Sequence, residues 1–251
     1  MALTNKLKAI GDAIREKTGK TDLIPLADMP NEILGISSGG SNEENPIYYA
    51  SRVDNVWKNV VFPEDYNLVL KVKSANNLAS AFVATKNLKT VKLINEDKNY
   101  ECNLSNIFEQ YNKETSILEL VDLAEFNVIA TNLYYAFRNQ DKLKTISGKL
   151  HIKEGTNTTQ WLLNCTALED IEFVPDTIRT TISLQWCSKL TKASITSAIN
   201  GLDNTVTGQT ISFSKTAVNN AFGIDVDDET TYTDEFNTLR NSKSNWTFAY
   251  N

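Results

Sequence analysis

Histidine occurs once in the 251 residues, at position 151, and cysteine only three times, at 102, 165 and 187. In GKLHIKEG, His151 has no neighbouring motif to complete a triad or a metal set, so a structural or exposed role is expected. Three widely spaced cysteines cannot frame a disulfide-built domain, and all three are expected as free thiols. Basic residues are outnumbered, 25 Lys and Arg against 31 Asp and Glu, for a net charge of −6. That balance excludes a general phosphate-neutralising surface, so neither nucleic acid nor an anionic membrane is an expected partner. No apolar run is long enough to cross a bilayer, and MALTNKLKAIGDAIREKTGK mixes charges into its apolar positions, so a secretory leader is not expected either. Also missing are a glycine-rich phosphate loop, a nucleophile elbow and His-rich metal spacing. No cofactor is expected, and an enzyme is not the expected class.

What is present begins with a helical pattern. Leu3, Leu7, Ile10 and Ile14 recur at intervals of four, three and four, which places them on one stripe, with Thr4 as N-cap and Gly19 as C-cap. TDLIPLADMPNEILGI adds a turn and a second short helical piece through Ile33 and Leu34. Residues 1 to 35 are too few to bury a core alone, so the stripe predicts an assembly interface: a docking partner or self-association into a homo-oligomer. Residues 36 to 46, ISSGGSNEENP, have a linker's composition. The body divides into a strand cap over 47 to 75, where Leu68, Leu70 and Val72 alternate, an array over 76 to 195, and a C-terminal cap over 196 to 251.

The array is a loose internal repeat. Phe82, Leu88, Val91 and Leu93 stand at offsets zero, six, nine and eleven, and Leu162, Leu168, Ile171 and Phe173 repeat them. Leu184, Leu190, Ala193 and Ile195 do so again. Phe137, Leu143 and Ile146 match but put Gly148 at the last position, and Phe108 reaches Leu118, Val121 and Leu123 after four extra residues. The leucines at 88, 118, 143, 168 and 190 are 30, 25, 25 and 22 residues apart, in or near the period of leucine-rich repeats. The L-x-x-V-x-L core alternates like a half-buried strand, and stacking one unit on the next buries a face that no unit could bury alone.

After residue 195, Ile195, Ala198, Ile199 and Leu202 have helical spacing. A short run at TISFS, a helix around Phe236 and Leu239 and a strand over 246 to 250 complete the cap. Cys165 and Cys187 share a repeat position and are expected in one ladder as small buried hydrophobes. Asp225, Asp227 and Glu229 alternate as hard-cation ligands do, making a weak Ca²⁺ candidate, but Thr230 stands where an EF-type loop needs Gly, which favours a solvated acidic turn. Trp161 and Trp186 lie near repeat corners, where core packing is expected, with a sugar-stacking platform as the alternative. Sequons at Asn103, Asn157, Asn164 and Asn245 are expected to be incidental.

Residues 78 to 195 resemble the BspA-like class of leucine-rich repeats, best at Leu162, Cys165, Leu168, Ile171 and Phe173 and at Leu184, Cys187, Leu190 and Ile195. LTNKLKAIGDAIREKTGKTDLIPLADMPNEILGI resembles a segment of tail and baseplate proteins of phages that infect Firmicutes, and SITSAINGL through NWTFAY resembles the closing segment of repeat proteins in such phages. The resemblance implies an α+β fold, a leucine-rich-repeat-like solenoid with a small N-terminal helical attachment segment. It implies a non-enzymatic virion protein of the tail fibre or baseplate, made in the bacterial cytoplasm. Such a protein is held to other virion proteins through its N-terminus, by analogy as a trimer, and presents its repeats to a host cell-surface glycan or protein. The alternative is a decoration or assembly protein of the head, neck or tail sheath with no receptor.

Overall fold

A computed structural model describes residues 47 to 49, 57 to 72, 76 to 97, 100 to 112 and 116 to 251. The expected attachment helix, with Leu3, Leu7, Ile10 and Ile14, and the linker lie outside the described residues. The chain is a parallel β-solenoid of about six turns, with three α-helices among the described residues, all after the coils. Its first ladder stacks β1 (Ile47–Tyr49), β2 (Val61–Val72), β3 (Lys86–Asn95), β5 (Leu120–Glu125), β7 (Thr145–Asn157) and β8 (Asp170–Phe173). A second ladder stacks β4 (Tyr100–Asn103), β6 (Val128–Asn132) and the far half of β7. Every pairing is parallel, because each strand meets its counterpart one whole coil later.

The repeat residues line the inside. Phe82, Leu88, Val91 and Leu93, then Phe108, Leu118, Val121 and Leu123, are buried in one continuous core. Phe137, Leu143 and Ile146, Leu162, Leu168, Ile171 and Phe173, and Leu184, Leu190 and Ile195 join it. In β3 the intervening Thr90 and Lys92 face outward, as the period-two pleat requires. The turns that close each coil also stack: Phe82 N donates to Ile107 O, Phe108 N to Ala136 O and Phe137 N to Trp161 O, each at 2.8 Å. Under these turns the aromatic anchors form a column, with Trp57 on Phe82 at 4.9 Å, Phe82 on Phe108 at 5.1 Å and Phe108 on Phe137 at 5.6 Å between ring centres. Trp161 then meets Phe137 edge-on.

A second column is polar. Asn77, Asn103, Asn132 and Asn157 are in register on successive coils. Each side-chain oxygen accepts from the amide two residues on, of Ala79, Ser105, Tyr134 and Thr159, at 3.0 Å. These Asx turns rotate the chain out of the strand and into the stacked turn. Side-chain amides inside the turns are paired between coils: Gln110 donates to Thr85 O, Asn139 to Gln110 O and Asn164 to Asn139 Oδ1, all at 2.7 Å. Thus two of the sequons, at Asn103 and Asn157, are corner-forming residues, and a third, Asn164, is a rung of this ladder.

Two details depart from the repeat as read in the sequence. Gly148 does not fill a core position: β7 bulges between Ile146 and Lys149, and Leu150 takes the place opposite Phe173. Gly148 sits at the bend with φ +84°, where the preceding coil comes so close that a Cβ would lie 2.5 Å from Ala124 N and from the Leu123 carbonyl carbon. Secondly, the unit at Leu190, Ala193 and Ile195 is no strand, for helix α1 (Lys192–Gly201) starts there, leaving Ala193 exposed while Ile195 is buried. The helix shields the edge of β8. Ser194 Oγ accepts from Ile171 N at 3.0 Å and Ser197 Oγ from Phe173 N at 2.9 Å, supplying the acceptors another strand would have offered.

The C-terminal cap continues as a parallel sheet of β9 (Ile182–Leu184), β10 (Gln209–Phe213) and β11 (Trp246–Tyr250). Between β10 and β11 lie α2 (Lys215–Phe222), which the sequence reading missed, and α3 (Asp234–Asn241). Lys243 ties the cap to α1, its Nζ donating to Leu202 O and Asp176 Oδ1 at 2.5 Å each.

Candidate functional site

Among the titratable residues singled out in the sequence, Cys165 and Cys187 are neighbours. Burial pushes the Cys102 thiol up to about 12 and raises Cys165 and Cys187 well above the ordinary range, Cys165 also through the neighbouring Cys187. All three are free, buried and protonated, and Cys165 donates to Phe137 O at 3.0 Å. Asp225, Asp227 and Glu229 point apart. Asp227 pairs with Lys215 at 2.6 Å, Glu229 with Arg240 at 3.3 Å, and Asp225 Oδ1 accepts from the Asp227 amide at 3.1 Å. Among the described residues no group of three or more His, Cys, Asp or Glu could hold a metal ion. Trp161 is fully buried, donating its indole N–H to Ser183 O at 2.9 Å, whereas Trp186 is 42% exposed.

His151, on β7, is half-buried and its pKa is lowered by that burial. It lines a surface concavity of about 450 Å³ formed where the first ladder bends into the second, at Gly148 and Asn127. A larger concavity of about 690 Å³ follows on the outer side of β8 and α1, between Asp170, Thr196, Asn200 and Glu235. The two share Lys149 and Glu172, so they adjoin across successive coils, and together they are called the trough. Lys149 and Glu172 are neighbours in the parallel register, both exposed. Opposite charges, hydroxyls from Ser194, Thr196 and Ser197 and apolar walls from Val128, Ile129 and Pro175 make the trough mixed in character. Such a lining suits an extended, uncharged or charge-balanced chain.

A second surface feature lies on the stacked turns. Tyr134 and Tyr135 stack at 3.9 Å between ring centres, and the Arg138 guanidinium lies 4.4 Å over the Tyr135 ring. Arg138 Nη1 pairs at 3.2 Å with Oε1 of the nearly buried Glu109, whose Oε2 accepts from Asn106 Nδ2 at 2.6 Å. The Tyr134 phenol is raised above its ordinary pKa, first by its hydrogen bond with Tyr135 and then by desolvation. Nothing in the repeat pattern marked this cluster, because periodicity detects what is equivalent between coils and these residues are where one coil differs. Its signal is the run Y-Y-A-F-R, and that of the asparagine column is an Asn five residues before each anchor Phe82, Phe108, Phe137 and Leu162.

No family model, curated protein or solved structure matches the chain. Among the described residues no helix is long and apolar enough to cross a membrane.

Proposed function

We propose that the chain is a non-enzymatic phage virion protein, of the tail fibre or baseplate, whose N-terminal segment fixes it to other virion proteins while a leucine-rich-repeat-like solenoid is presented to the host surface. The observation that supports this best is the trough: it runs across coils that are otherwise built for stacking, and Lys149 and Glu172 lie at its middle. A solenoid holds such a surface rigid because each coil is fixed by backbone bonds to both neighbours, so a polymeric ligand meets side chains at regular spacing. The resemblance of residues 3 to 36 to tail and baseplate segments is what suggests attachment to the particle, and the trimer comes from that likeness alone. Gold-labelled electron microscopy of phage particles with an antibody against residues 47 to 251 tests the reading. Label at the tail tip or baseplate is expected; label on the head, neck or sheath would overturn it in favour of a decoration or assembly protein.

A further inference from the structure

We propose that Tyr134, Tyr135 and Arg138, with Asn106 and Glu109 on the preceding coil, form a binding site for a neutral sugar ring, separate from the trough. The comparison between coils carries it. Two residues before each anchor the turn passes through the left-handed region, at Ser80 (φ 56°), Asn106 (57°), Tyr135 (55°) and Gln160 (49°). Small or polar side chains stand there in three of these coils, and one carries a bulky aromatic ring that the conformation disfavours. One position earlier the residues are Ala79, Ser105, Tyr134 and Thr159, and one position after the anchor they are Val83, Glu109, Arg138 and Leu163. A single coil therefore places two aromatic rings and a guanidinium together at one half-buried corner, where the other three coils carry none at these positions.

The chemistry of the cluster selects the ligand class. Glu109 neutralises Arg138, so the corner holds no free positive charge for a phosphate or carboxylate. Arg138 Nε is buried with no hydrogen-bond partner among the described residues, and the Glu109 bond and the Tyr135 ring hold the guanidinium in a fixed plane. The flanking turns offer Ser105 and Asn106 on one side and Thr159 and Gln160 on the other, ~4.8 Å away along the stack. An apolar ligand would strip water from these groups without replacing its hydrogen bonds. A sugar ring matches both halves: its axial C–H face lies on a tyrosine ring, and its hydroxyls exchange hydrogen bonds with the phenols, the guanidinium and the amides. The proposal deepens the host-surface role and rests on it only for where the sugar comes from.

The test uses the full chain against immobilised neutral oligosaccharides built from glucose, galactose, rhamnose and N-acetylglucosamine. The variant Tyr134→Ser with Tyr135→Asn transplants the residues of the preceding coil, so the turn keeps side chains its conformation accepts. Binding to at least one of these sugars is expected, with a loss of tenfold or more in the double variant at unchanged circular dichroism and melting temperature. A second variant, Lys149→Ala with Glu172→Ala, alters the trough and is expected to leave this binding within twofold. No binding to any sugar of the set, or equal binding by wild type and the tyrosine variant, overturns the assignment. Either result leaves the particle-labelling experiment unaffected, so the failure of one reading is distinct from failure of the other.

Discussion

Gly148→Ala and Gly155→Ala make a matched pair. Both glycines lie on β7 with positive φ, +84° and +76°, so an alanine at either carries the same left-handed strain, ~1–2 kcal/mol. They differ in surroundings. A Cβ at 155 meets nothing within 4 Å, whereas at 148 it meets Ala124 N and Leu123 C at 2.5 Å and Leu123 O at 2.7 Å. Those are backbone atoms of the adjacent coil, which cannot rotate aside, so the two coils must separate locally and lose packing worth about 1–3 kcal/mol. Alanine also restricts the unfolded chain, which returns ~0.4–1 kcal/mol in both variants. The expected outcome is a loss of about 1 kcal/mol for Gly155→Ala and ~2–4 kcal/mol for Gly148→Ala. Urea unfolding followed by far-ultraviolet circular dichroism measures both. Equal losses, within about 0.5 kcal/mol, would show that the close approach of coils at Gly148 is not a real constraint.

Three further outcomes follow from the packing. Asn132→Ala removes the bond to Tyr134 N and is expected to cost about 1 kcal/mol, with Asn132→Asp costing less, since aspartate keeps the accepting oxygen; equal losses would rule out the Asx turn as the source. Ser194→Ala and Ser197→Ala together strip acceptors from Ile171 N and Phe173 N, at a cost of roughly 1–3 kcal/mol each, and hydrogen exchange at those two amides should rise while exchange in β3 stays slow. Alkaline pH should destabilise the fold through Cys102: its folded pKa is raised, so above the ordinary value of 9.0 and up to about 12 the unfolded chain loses the proton while the folded chain keeps it. Stability then falls as pH rises through that window by up to about 1.4 kcal/mol per pH unit, and Cys102→Ala, which retains a small apolar side chain, is expected to flatten this slope; an unchanged slope would refute the assignment.

How far the fold was legible depended on which property repeats. Leu118, Val121 and Leu123 announce a buried face because burial acts on single side chains and leaves a period in the text. Gly148 shows the limit: the offset pattern marked it as a gap in the core, yet the bulge hands that place to Leu150. The asparagine corners recur as regularly as the leucines but went unread, since an Asx turn looks like any polar loop until the amide it accepts from is located. Ala193 fitted the strand template by spacing alone, and the edge it adjoins decided otherwise, because β8 needed acceptors that serines on a helix could supply.

The sequence by itself determined that the chain stacks: apolar residues at a recurring interval leave each unit with a face that only its neighbour can cover. The acidity of the turn at 225 to 229 is likewise written in the sequence, whereas the burial of the three free cysteines is seen only in the structure. The tertiary structure alone decided what shares a surface. Lys149 and Glu172 are 23 positions apart in the chain and adjacent in the ladder. Arg138 and Glu109, 29 apart, form one ion pair at the corner of Tyr134 and Tyr135. A coil returns each residue to its neighbour only after a variable number of loop residues, so the partner cannot be counted off along the chain; it is fixed by the backbone register between coils.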